Sequence, residues 1–239
     1  MTPPAPLAVA LDTDDLETAL SWAAATGPYV STVKVGLALF LRHGGDAVRK
    51  AREASGGRDV FLDLKLHDIP NTVAGAAHAV AELDPTYLTV HAGGGPDMVR
   101  AAAEALPRTK VAAVTVLTSL SATDLEAIGV AGTPRDVVRR LAALAVGAGA
   151  RALVCSPLEV ADVRGEVGPD VVLITPGVRP AGAGLGDQSR VATPEQALSD
   201  GADLLVVGRP LTAADDPAAA ARDLAESLTI KGFSHRTNG

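Results

Sequence analysis

At 239 residues the chain is long enough for one (β/α)8 barrel of about 250 residues, or for two small domains. Hydrophobic residues make up 47% and aromatic residues only 3%, so the core must be built from Ala, Val and Leu, and platforms for stacking nucleobases are lacking. A formal net charge of −7 with no Lys/Arg block argues against a nucleic-acid partner, and no apolar run approaches the ~20 residues that cross a bilayer, so no membrane partner is expected.

Short β-branched or apolar runs predict strands at 6–12, 31–36, 59–65, 87–92, 110–118, 152–156, 171–175 and 203–207. Between them lie segments with apolar residues at helical spacing, such as 72–83 and 134–147. Gly27, Gly147, Gly149 and Gly201 fall near the ends of such segments. Thr193-Pro194 and Asp216-Pro217 read as helix starts, a capping residue followed by proline in the first turn. Eight strands alternating with helices imply a parallel sheet, and eight is the number that closes an α/β TIM barrel; an open doubly wound sheet is the alternative. With no linker or break in composition, residues 1–239 are expected to form one domain. The N-terminus has no signal-peptide pattern, and the single cysteine, Cys155, fits a reducing cytoplasm.

The long stretch 179–192 follows the seventh strand and carries Gly182, Gly184 and Gly186. Loops of this length in compact domains are usually functional or disordered, and this one reads as a mobile lid, the plainer reading being a variable surface loop.

A barrel places its chemistry at the C-terminal ends of the strands. Polar residues there are Asp12, Lys34, Asp63, Lys65, Thr118, Arg179 and, after Gly208, Arg209. Asp63 and Lys65 are two apart and share a strand face, with Leu64 pointing the other way. Lys34 lies on the neighbouring strand and Asp68 in the loop that follows. Lys34 with Asp63 alone could be an ion pair capping the barrel. Four alternating charges converging on one mouth point instead to a catalytic site.

The loops after strands seven and eight commonly hold phosphate. Gly208 would let a backbone N–H approach the anion and Arg209 could bind it bidentately, with Arg179 and Gln188 closing from the lid. The plainer reading of Gly208-Arg209-Pro210 is a turn with a solvated arginine. Cys155 reads as a small core residue. His91 faces the mouth in a supporting role, whereas His67 and His78 read as structural or exposed. The five histidines lack metal-ligand spacing, and no Walker loop, dinucleotide fingerprint or Ser/His/Asp arrangement occurs, so neither cofactor nor metal is expected.

The stretch Phe61-Leu62-Asp63-Leu64-Lys65-Leu66-His67-Asp68-Ile69-Pro70-Asn71-Thr72 resembles the signature of the orotidine 5′-phosphate decarboxylase family. Ala10-Leu11-Asp12, Lys34-Val35-Gly36, Leu117-Thr118-Ser119, Thr175-Pro176-Gly177-Val178-Arg179, Asp187-Gln188 and Val207-Gly208-Arg209-Pro210 are similar to that family's motifs in order and spacing. The resemblance implies cofactor-free conversion of orotidine monophosphate to UMP and CO2 in de novo pyrimidine biosynthesis. It makes Lys65 the proton donor to C6 of the pyrimidine, flanked by Asp63 and Lys34. Asp68 would reach in from a second subunit, so that the active form is a homodimer with shared sites. Asp12 and Lys34 would hold ribose hydroxyls, as would the partner's Asp68 and Thr72, and Thr118 would lie near the pyrimidine. Arg179, Gln188, Gly208 and Arg209 would bind the phosphate.

Two alternatives stand beside this reading. A Mg2+-dependent sugar-phosphate decarboxylase of the same suprafamily is opposed by the Ile69-Pro70-Asn71-Thr72 continuation and the Arg179–Gln188 lid. A silent nucleotide-binding barrel has no need to keep Lys65 beside two carboxylates.

Overall fold

The computed structural model describes residues 4–179, 192–230 and 232–233. Eight parallel strands close into a barrel in sequence order: β1 (Ala5–Ala10), β2 (Val30–Gly36), β3 (Asp59–Leu66), β4 (Tyr87–His91), β5 (Lys110–Val114), β6 (Ala152–Val154), β7 (Val172–Pro176) and β8 (Leu204–Val207). β1 pairs with both β2 and β8, which completes the ring. The helices are α1 (Leu16–Thr26), α2 (Leu37–His43), α3 (Gly45–Ala54), α4 (Pro70–Val80), α5 (Pro96–Ala105), α6 (Ala122–Ala127), α7 (Pro134–Gly147), α8 (Val160–Val167), α9 (Pro194–Ser199), α10 (Arg209–Thr212) and α11 (Pro217–Ile230). The closed barrel was expected, and the open sheet is excluded.

Alternation along each strand sorts the core into two layers. On β1, Ala8 and Ala10 point into the barrel while Leu7 and Val9 pack outward under the helices. Small side chains dominate the interior, and Phe61 and Tyr87 fill the remaining space edge to face, 5.9 Å between centroids. Burial pushes the Tyr87 phenol up to about 12, so it stays neutral.

Helix ends follow local chemistry. Thr133 caps α7 by accepting from Asp136 N–H, Thr193 caps α9 from Gln196 N–H, and Asp216 accepts from the Ala218 and Ala219 N–H groups at the start of α11. The helix expected at 72–83 instead begins at Pro70 and ends at Val80, giving way to a 3-10 turn over 81–83. Proline needs no N–H partner in a first turn, so the helix can start earlier than its apolar spacing suggests.

Three strands end two or more residues before their sequences predict. β1 stops at Ala10 rather than Asp12, β6 at Val154 rather than 156, and β5 at Val114 rather than Thr118. Val116 and Leu117 continue the apolar run of β5, but its ladder ends with the pairs His91–Val114 and Val114–Val154. Thr115 N–H still donates to Val154 O at 3.2 Å, and no ladder pair forms beyond it. The consequence is functional: Asp12, Cys155 and Thr118 sit on the loops above the barrel instead of in its wall.

Candidate active site

The mouth is organised by an irregularity in β3. Leu62 pairs with Leu88, and the next pair is Leu66 with Val90, so residues 63–65 bulge against Thr89 alone. Within the bulge Lys65 takes a left-handed backbone, φ 50°, which is costly for a residue with a Cβ. Its N–H donates to Thr89 Oγ1 at 2.8 Å in place of a strand partner. Leu64 packs outward against the helix layer, as the alternation predicts.

Asp63 is the hub of the charges. Lys65 Nζ donates to both its oxygens, at 2.7 and 2.8 Å, and Thr89 donates to Oδ1 at 3.0 Å. Lys34 Nζ reaches Asp63 Oδ2 at 3.4 Å and Asp12 Oδ1 at 2.7 Å. Burial alone would raise the Asp63 pKa, but the Lys34 and Lys65 ammonium groups outweigh it and leave the carboxyl below its usual range. Burial likewise pulls Lys34 down, and Asp12 and Asp63 more than reverse this, so its pKa is raised. At neutral pH both residues are charged.

Lys34, Asp63 and Lys65 therefore converge, the fourth charge bound to them within the chain is Asp12, and Asp68, expected from a second subunit, lies outside this cluster. Asp68 is exposed, and its carboxylate accepts from the adjacent Ile69 N–H at 2.6 Å. Thr72 is exposed too, in the first turn of α4. Neither is among the residues lining the cavity at the mouth of their own barrel.

A cavity of about 440 Å3 opens above these charges. Val116, Leu117, Val154 and Pro176 give it an apolar wall, and Thr118 lines it from the loop after β5. The ends of β7 and β8 add Gly177, Arg179, Gly208, Arg209 and Thr212. Near Gly208 the closest atom to a hypothetical Cβ is Ala10 Cβ at 3.7 Å, so the missing side chain leaves room on the cavity side. The ends of the loop after β7 are pinned together by a bridge between Val178 and Ala192 and by Arg179 N–H donating to Ala192 O at 3.0 Å. Gln188, and most of the stretch read as a lid, lie outside the described residues.

Cys155 is buried, and its thiol is pushed up to about 12 by burial, which makes it a poor nucleophile. His91 stacks at 5.3 Å on His67, and burial with the nearby His67 and Lys65 charges lowers its pKa. The sequence assigns no role to two further contributors. Thr89 carries no charge to draw attention, though alternation from Tyr87 places it inside the barrel. Gly36 leaves space: a Cβ there would lie 2.9 Å from Asp12 Oδ1 and 3.2 Å from Lys34 Nζ.

A closed (β/α)8 barrel with an alternating Asp–Lys–Asp–Lys chain at its mouth, beside a Gly-Arg loop after the last strand, is the construction of a barrel enzyme acting on a small anionic substrate. The model of the "Orotidine 5'-phosphate decarboxylase / HUMPS family" matches residues 5–224, and the chain belongs to that family. It is 67% identical over 233 residues to an orotidine 5′-phosphate decarboxylase of Thermobifida fusca, covering 96% of this chain and 98% of the relative. A decarboxylase of the same name from Frankia casuarinae is 56% identical, covering 97% and 91%. The crystal structure of orotidine 5′-phosphate decarboxylase from Lactobacillus acidophilus superposes with a TM-score of 0.81 at 37% identity, covering 95% of this chain and 99% of that one. No helix among the described residues is long and apolar enough to cross a membrane.

Proposed function

We propose that this chain decarboxylates orotidine 5′-phosphate to UMP and CO2 within a single catalytic domain, using its own side chains and no cofactor. The observation that carries this reading is the Lys65 ammonium, held by both oxygens of Asp63 at the floor of a nucleotide-sized cavity. As the C6–carboxylate bond breaks, its electron pair stays on a ring carbon with no conjugated sink. A fixed ammonium beside that carbon stabilises the developing charge and then transfers a proton to it, leaving a C6–H bond and a neutral amine that solvent reprotonates. Asp63 stands next to the departing carboxylate, and their repulsion is relieved as CO2 leaves.

The remaining residues bind and orient. Asp12 and Lys34, already joined at 2.7 Å, hold ribose hydroxyls. Thr118 and the apolar wall receive the pyrimidine. Arg179, Gln188, Gly208 and Arg209 take the phosphate, whose binding energy is spent on closing the site. Asp68 and Thr72 are assigned to the site of a second copy in a homodimer, a reading supported by their exposure and by their absence from the lining of their own barrel's cavity. A cytoplasmic location fits a single, buried cysteine.

The test is loss of orotidine monophosphate absorbance on purified protein with and without EDTA. Turnover to UMP unaffected by the chelator is expected. A well-folded protein that leaves the substrate intact would overturn the reading, and turnover abolished by EDTA would return it to the metal-dependent branch.

Gly36 offers a finer check. The atoms that a Cβ would press on are the ends of flexible side chains, so Gly36→Ala should fold with nearly unchanged thermal stability. Those ends are the Asp12 and Lys34 charges, and displacing them should lower kcat/KM by roughly tenfold to a hundredfold. Steady-state kinetics beside a melting curve measures both, and undiminished kcat/KM would show that the Asp12–Lys34 geometry is not needed.

A further inference from the structure

β3 has to deliver two side chains, two residues apart, to the same few ångströms of space. It does so through the bulge at 63–65, where the regular ladder to β4 is interrupted and only Thr89 stands opposite. A bulge leaves backbone groups without their ladder partners, and a left-handed lysine must be held by its surroundings. Thr89 is fully buried, and its hydroxyl supplies what the ladder does not.

The direction of its two hydrogen bonds is fixed by chemistry. The Lys65 N–H, 2.8 Å away, can only donate, so Thr89 Oγ1 accepts there. The hydroxyl's single proton is then left for Asp63 Oδ1 at 3.0 Å, and an ionised carboxylate only accepts. One oxygen thus ties the backbone of Lys65 to the carboxylate that its own side chain grips. Rotation of Asp63, or relaxation of Lys65 out of its left-handed conformation, would break one of these bonds.

We propose that Thr89 is a positioning residue for the decarboxylation, setting the backbone of the proton donor and the rotamer of its carboxylate partner without touching the substrate. The proposal rests on the decarboxylase reading. It differs from a packing role because the hydroxyl matters while the methyl and the β-branch do not.

Thr89→Val keeps the shape and removes both hydrogen bonds. A misplacement of this kind should lower kcat roughly a hundredfold. The inhibition constant for UMP should stay within about threefold, since the ribose and phosphate contacts are untouched. Thr89→Ser restores the hydroxyl without the methyl and should recover kcat to within about threefold of wild type. Wild-type kcat in Thr89→Val would overturn the proposal, as would a loss in Thr89→Ser equal to that in Thr89→Val. If the valine variant does not fold, Thr89→Ala, which removes the hydroxyl and both hydrogen bonds without adding bulk, is measured the same way, and wild-type kcat there is again fatal. Wild-type protein in the same assay separates the two questions: its failure to consume orotidine monophosphate would count against the decarboxylase reading instead.

Discussion

Lys65→Ala should abolish turnover of orotidine monophosphate while leaving the barrel folded and able to bind UMP. The substitution removes two contributions at once: electrostatic stabilisation of the carbanion and the proton that quenches it. Taken together these are worth on the order of 10⁴ or more in kcat. Stability should suffer far less. The Lys65 side chain is about 30% exposed, and without it Asp63 still accepts from Lys34 and Thr89. A paired control exploits the φ of 50° at this position. Alanine keeps the Cβ that makes a left-handed backbone costly, whereas glycine does not, so Lys65→Gly should be about 1 kcal/mol more stable than Lys65→Ala. Both should be equally inactive. Absorbance assays, UMP binding and denaturant melts on the two variants check this. Turnover above about one part in a hundred in either would move the proton donor to another group.

Much of this site was legible because alternation and strand order are local properties. Asp63, Leu64 and Lys65 reveal by spacing alone which faces they occupy, and a barrel of eight strands puts Lys34 on the neighbour of their strand. The sequence also drew Asp68 into the charge cluster, through its closeness to Lys65 along the chain. Within one chain Asp12 joins the cluster, next to Lys34 because β1 pairs with β2, while Asp68, which the resemblance gives to a second subunit's site, lies outside it. Charge type and spacing do not say which chain's site an aspartate on a loop will enter. The ends of β5 and β6 were overrun for a related reason. Val116 and Leu117 are apolar because they wall a cavity, and hydrophobicity does not distinguish a cavity wall from a strand in a core. The bulge at 63–65, the left-handed lysine and the role of Thr89 left no signal, since each depends on register between two strands.

Asp68→Ala should be nearly inactive by itself, yet active when paired with an inactive partner. The aspartate lies outside its own barrel's charge cluster, on the segment that also presents Ile69 at 65% exposure. On the neighbouring α2, Leu37 and Leu41 are exposed at 45% and 78%. Apolar side chains of this size at such exposure, on segments following adjacent strands, suit a contact with a second copy. In a two-fold dimer that contact would carry each Asp68 to the other subunit's Lys65. Loss of one charged contributor to the site should cost roughly 10²- to 10³-fold in kcat. Co-expressing Lys65→Ala and Asp68→Ala chains under two affinity tags allows the mixed dimer to be isolated. If the sites are shared, one site in that dimer carries both lesions and the other carries neither, so about half the wild-type activity per dimer returns. If Asp68 serves its own chain, every site carries one lesion and the mixed dimer stays as inactive as its parents. A wild-type protein that runs as a monomer at assay concentration, yet turns over at full rate, would sink the shared site directly. The restored half is the sharper result, because no effect confined to one subunit can produce activity from two inactive chains.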